Sequence, residues 1–107
     1  MNKFSKTIIK TAVALVIGLS ANLVSSEELR LGTASLGGAF YPMGQSISNL
    51  VNRYAGEDIS MVPVVTGGSV QNPRLVGSGE MEIAITNNNL AVLALKGKGP
   101  YRTGKLE

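Results

Sequence analysis

The 107-residue chain contains no cysteine and no histidine. The first absence excludes a disulfide framework, and with it any cysteine-linked lipid anchor. Together the two remove the usual transition-metal ligands, so no metal and no cofactor is expected. Long hydrophobic runs are lacking as well. The run "TAVALVIGL" from Thr11 to Leu19 has nine residues, whereas a bilayer-spanning helix needs about 20.

That run has another use. Lys3, Lys6 and Lys10 precede it without an acid, and "ANLVSS" follows it with small residues, Val24 and Ser26 standing at the minus-three and minus-one positions. A basic start, a short apolar centre and a small-residue exit describe a secretory signal peptide over residues 1–26. Export is therefore expected.

Excess charge of one sign disappears with that segment. The whole chain is +3, but from Glu27 onward seven Lys+Arg face seven Asp+Glu. The basicity belongs to the signal and points to no nucleic-acid partner. Residues 27–107 suffice for one small domain, and their twelve glycines are about twice ordinary usage.

Apolar periodicity switches repeatedly along this domain. "LRLGT" (Leu29 to Thr33) alternates as a strand. Met43, Ile47, Leu50, Val51 and Tyr54 then share one helical face, with Pro42 suited to the first helical position and Gly56 to the stop. "ISMVPVVT" (Ile59 to Thr66) reads as a buried parallel strand, placed at a sheet edge because Pro63 lacks a ladder donor. A short helix follows, capped by Ser69 or, better, by Asn72 before Pro73. "MEIAIT" (Met81 to Thr86) predicts a third strand. A helix follows it, capped by Asn88 or Asn89 and stopped at Gly97, with Lys96 at its C-terminal end. After Pro100 the pattern dissolves. Strand–helix alternation of this kind predicts an α/β domain with a parallel sheet.

Ligands of open parallel sheets bind beyond the carboxyl ends of the strands. Here those ends are "TASLGGAFY", "TGGS" and "TNNN". They offer Thr33, Ser35, Tyr41, Thr66, Ser69, Thr86, Asn87, Asn88 and Asn89, with Gly37, Gly38, Gly67 and Gly68 permitting close approach. Each leads into a helix start, where free amides attract an anion. No charged residue occurs from Leu31 to Asn52, from Ile59 to Pro73 or from Ile83 to Leu95. The rims can therefore hold a carboxylate or phosphate by dipoles and neutral hydrogen bonds.

The same neutrality argues against an enzyme. Acid–base catalysis needs a group of suitable pKa, and Ser35 or Ser69 as the nucleophile of an exported hydrolase would lack an adjacent base. Glu57, Asp58, Glu80 and Glu82 read as solvated faces. The glycines do not form G-x-G-x-x-G, and "TGGS" lacks the lysine of a P-loop. Two bland readings remain beside the ligand site: plain turn chemistry for the glycines, and Tyr41 as a staple for the helix start.

The combination "LRLGTASLGGAFYPMG", "VVTGGSVQNPRLVGSGEMEIAIT" and "ALKGKGPY" resembles the TAXI family of solute-binding proteins of tripartite ATP-independent periplasmic (TRAP) transporters, over nearly the whole of residues 27–107. The resemblance implies a type II periplasmic-binding-protein fold and capture of a small organic anion, an amino acid or related carboxylate, for a TRAP-type membrane permease. By that resemblance Thr33, Ser35, Gly37, Gly38, Phe40 and Tyr41 form a first ligand loop, and Thr66, Gly68 and Ser69 a second. Thr86, Asn87 and Asn88 form a third segment. Pro73 departs from the family's aliphatic residue, and asparagines replace an acid that could meet a ligand's ammonium group. Family members are several times longer. The chain is thus expected to be the N-terminal part of lobe 1 (residues 27–107) of a periplasmic-binding-protein type II-like fold, incomplete, with the second lobe absent. As a truncated piece it could also be a fragment that binds nothing.

Overall fold

A computed structural model describes residues 26–103. The signal segment, residues 1–26, lies outside the described residues except for Ser26. The architecture is α/β, as expected, with three parallel strands ordered β2-β1-β3. Strand β1 (Glu27–Gly32) is central, β2 (Ile59–Val64) flanks it on one side and β3 (Ile83–Ala84) on the other. Helix α1 (Phe40–Tyr54) connects β1 to β2, α2 (Asn72–Gly77) connects β2 to β3, and α3 (Asn88–Lys96) follows β3. No helix among the described residues is long and apolar enough to cross a membrane.

The edge position expected for β2 holds, and its chemistry is specific. Thr33 N–H donates to Val64 C=O and Glu27 N–H to Asp58 C=O, so even-numbered residues of β2 face β1. Met61 and Pro63 face outward. The Asn52 side chain takes both outward groups of Met61: its Oδ1 accepts from Met61 N–H at 2.7 Å and its Nδ2 donates to Met61 C=O at 2.9 Å. Pro63 has no N–H to leave unpaired there. This edge is closed to further strands. On the other side, Ile85 N–H donates to Gly32 C=O, which turns the N–H and C=O of Ala84 away from β1. No strand covers them among the described residues.

Strand β3 is shorter than the expected Met81 to Thr86. The backbone N–H groups of Glu80 and Met81 both donate to Leu75 C=O, tying these residues to the turn after α2 and delaying the strand to Ile83. Glu82 is exposed, as expected of a solvated face, but it is not unpartnered. Its carboxylate accepts from Arg30 at three points: the backbone N–H at 2.8 Å, Nε at 3.0 Å and Nη2 at 2.6 Å. These hydrogen bonds, side chain first and backbone second, hold the Glu82 carboxyl at about 2, against an ordinary 4.5. A depressed folded-state pKa stabilises the fold above the unfolded value, and that contribution fades as pH falls from about 4.5 toward 2. Denaturation midpoints measured across this range should fall with acidification in the wild type. They should fall less steeply in Glu82→Gln.

Helix α1 also differs from expectation. It begins at Phe40, with Ala39 as the flanking residue, and Pro42 is its third position rather than its first. Gly56 follows its end with φ 91°, the left-handed conformation expected of a stop. The residues buried against the sheet are Gly44 and Ser48, with Tyr41, Ile47 and Val51 half-buried beside them. Met43, Leu50 and Tyr54 are exposed. The apolar periodicity marks a real face, but small side chains decide which face meets the strands. A Cβ on Gly44 would run into the Cγ2 methyl of Thr33 and touch Leu31 Cδ2 at 3.5 Å.

At the other helices the corrections are small. Helix α2 begins at Asn72, one residue after Gln71, and the Asn72 side chain turns inward instead of capping. The extended residue preceding α3 is Asn87, not Asn88 or Asn89, and its side chain makes no capping bond. Gly97 ends α3 with φ 60°, its N–H donating to Ala94 C=O and Lys98 N–H to Leu93 C=O, a Schellman motif. Beyond it, where the sequence shows no pattern, Gly99–Tyr101 form a 3-10 turn that buries Tyr101 completely. With Leu31, Met61 and Ala94, Tyr101 supplies the buried apolar core.

Candidate functional site

Parallel pairing brings the carboxyl ends of all three strands to one margin of the sheet, as expected. At this margin Asn72 bridges the ends of β1 and β3. Its side chain is fully buried. The Nδ2 group carries two hydrogens, and two carbonyls lie at short range: Thr33 C=O at 2.7 Å and Ile85 C=O at 2.6 Å. The Asn72 Oδ1 accepts from Thr66 Oγ1 at 2.6 Å, and the Thr66 hydroxyl in turn accepts from Gly68 N–H at 3.1 Å. All three strand ends are thereby stitched together around one amide. A buried polar network of this kind is rigid only when its members are satisfied, and here they are.

The expected site residues divide into two groups. The hydroxyls of Thr33, Thr66 and Thr86 are structural bridges. Thr33 is buried and donates to Val64 C=O at 2.7 Å, and Thr86 donates to Ser69 C=O at 2.7 Å. Gly68 is buried at φ 93°, which a side chain would strain. Gly67 N–H is taken by Gln71 Oε1 at 2.5 Å.

The second group is open to solvent. Ser35, Gly37, Asn87, Asn88 and Asn89 are exposed, and Gly38, Phe40, Tyr41 and Ser69 are half-buried. Gly38 N–H closes a turn onto Ser35 C=O at 3.1 Å, and the chain then enters α1. Phe40 and Tyr41 occupy the first turn of α1, where helices leave amides without intrahelical partners. No side chain caps this start, nor that of α3 at Asn87. The margin therefore presents hydroxyls, carboxamides and two uncapped helix starts, with no ionised side chain in the three segments. Such an arrangement can hold a small anion, and the three segments themselves contain no base for Ser35 or Ser69.

A cleft of about 390 Å³ lies elsewhere, between α2, β3 and α3, with Pro73, Val76, Ala91, Ala94 and Leu95 on its walls. It meets the strand-end margin only at Asn72 and Thr86, and its lining is largely apolar. Asn72 itself was not foreseen as part of the site, because Asn before Pro carries the stronger signal of a helix start.

Residues 31–107 match the model of the NMT1-like family, a family associated with periplasmic binding proteins, and the chain belongs to that family.

Proposed function

We propose that this member of the NMT1-like family works as an exported receptor that captures a small organic anion, an amino acid or related carboxylate, at the strand-end margin. It would hand that ligand to a TRAP-type membrane permease. One observation carries the reading: two helix starts without side-chain caps lie at a margin whose three segments contain no ionised residue. Anions are stabilised at such starts by the helix dipole and free amides. Neutral donors hold them without the desolvation penalty of a buried ion pair. Ser35, Ser69, Asn87 and Asn88 would supply the side-chain contacts, and Gly37, Gly38 and the first turn of α1 the backbone ones. Thr33, Thr66, Gly68 and Thr86 would fix the frame. Family membership supports the receptor role, and the resemblance to TAXI proteins supports the class of ligand and the permease. A reading as an enzyme is disfavoured because no residue of the rim segments could serve as a general base.

A thermal-shift screen of the protein against carboxylates, amino acids and inorganic phosphate tests this. A ligand at ten times its Kd stabilises by about 1.4 kcal/mol, which for a domain of this size raises Tm by roughly 5–10 °C. A rise of that order, abolished by Ser69→Asp, is the expected result. Uniform failure of every anion in the screen would sink the reading.

A further inference from the structure

The turn that carries Ser69 is gripped at two consecutive carbonyls. Thr86 Oγ1 donates to Ser69 C=O at 2.7 Å, and the Tyr101 hydroxyl donates to Val70 C=O at 2.8 Å. These contacts come from segments 17 and 31 residues further along the chain. Tyr101 is wholly buried, and its own position is held firmly. Gly99 turns the chain at φ 58°, and Tyr101 N–H donates back to Lys98 C=O at 3.1 Å. The Arg74 guanidinium lies 5.1 Å from the centre of the tyrosine ring and donates to Pro100 C=O.

The hydroxyl is the informative atom. Phenylalanine would fill the same space without burying a polar group, and burial of a hydroxyl costs free energy unless it is bonded. Here the bond goes to a turn carbonyl, away from any strand ladder. We infer that Tyr101 is a positioning residue, which through its hydroxyl on Val70 C=O fixes the Thr66–Ser69 turn against the margin, as Thr86 does from the third strand end. The use of that margin for a ligand rests on the receptor reading above. The clamp itself does not.

Hydrogen exchange on the full chain, without ligand, tests the clamp. In Tyr101→Phe the ring and its contact with Arg74 remain and only the hydroxyl is lost. Amides of residues 67–71 should then exchange about fivefold to tenfold faster, the worth of one hydrogen bond expressed as local opening. Those of β1 and α1 should change less than twofold. Thr86→Val should accelerate the same window, and Thr86→Ser, which keeps the hydroxyl, should leave it at the wild-type rate. Uniform acceleration across the domain, or no acceleration at residues 67–71, overturns the proposal. A failed ligand screen with localised exchange would instead sink the receptor reading and leave the clamp standing.

Discussion

Asn72→Ala is expected to lower the stability of the domain by about 3 kcal/mol, because it strips hydrogen-bond donors from two carbonyls at the strand ends, each such loss costing roughly 1–3 kcal/mol. For about 78 described residues the total stability falls in the range of roughly 4–12 kcal/mol, so this single truncation removes a large share of it. The midpoint of thermal unfolding should drop by more than 10 °C. Asn72→Asp is the sharper test. It keeps the shape of the side chain but replaces the Nδ2 donor, 2.7 and 2.6 Å from Thr33 C=O and Ile85 C=O, with an acceptor. It also buries a charge beside Thr66. The variant should be less stable than Asn72→Ala at neutral pH. Its folded-state carboxyl pKa would be raised, so stability should return as pH falls through the carboxylate range, where a neutral carboxyl can donate. A loss confined to Ala, with Asp as stable as the wild type at every pH, would show that Asn72 acts only by filling space.

The second large effect is expected at Gly44, and its sign depends on another residue. In a helix interior alanine is ordinarily favoured over glycine by about 1 kcal/mol. Here the added Cβ meets the Thr33 methyl, and Thr33 is both β-branched and fixed through its bond to Val64 C=O. Overpacking of this kind costs about 1–3 kcal/mol. Gly44→Ala should therefore destabilise by up to about 2 kcal/mol in denaturant unfolding. Thr33→Ser removes the offending methyl and keeps the hydroxyl. In that background Gly44→Ala should become neutral or stabilising, a coupling on the order of 2 kcal/mol. Simple additivity of the two substitutions would contradict the packing argument.

Much of the architecture is legible in the sequence. The switch of apolar period between 2 and 3.6 separates "LRLGT" and "ISMVPVVT" from the helix between them, and Pro63 alone was enough to place β2 at an edge. The neutrality of the strand-end segments was legible too, since it needs only counting. What escaped depends on partners distant in the chain. Asn72 reads locally as a helix start, but its role is set by carbonyls 39 and 13 residues away. Glu82 reads as a surface acid until Arg30 arrives from 52 residues upstream. The inner stripe of α1 departs from its apolar pattern for a related reason. Hydrophobicity selects Met43, Leu50 and Tyr54, whereas close contact with Thr33 and Leu31 demands the smallness of Gly44. Tyr101 gave no periodic signal because it belongs to a three-residue turn, too short to have a period.

The grip of Asn52 on Met61 has a consequence for association. Edge-to-edge assembly of sheets into fibres requires that every unit accept a neighbour on both sides. With Met61 occupied and Pro63 lacking a donor on one side, the molecule resembles a monofunctional monomer in a polymerisation. Two copies could join through the sides that carry Ala84, and each would then terminate the other.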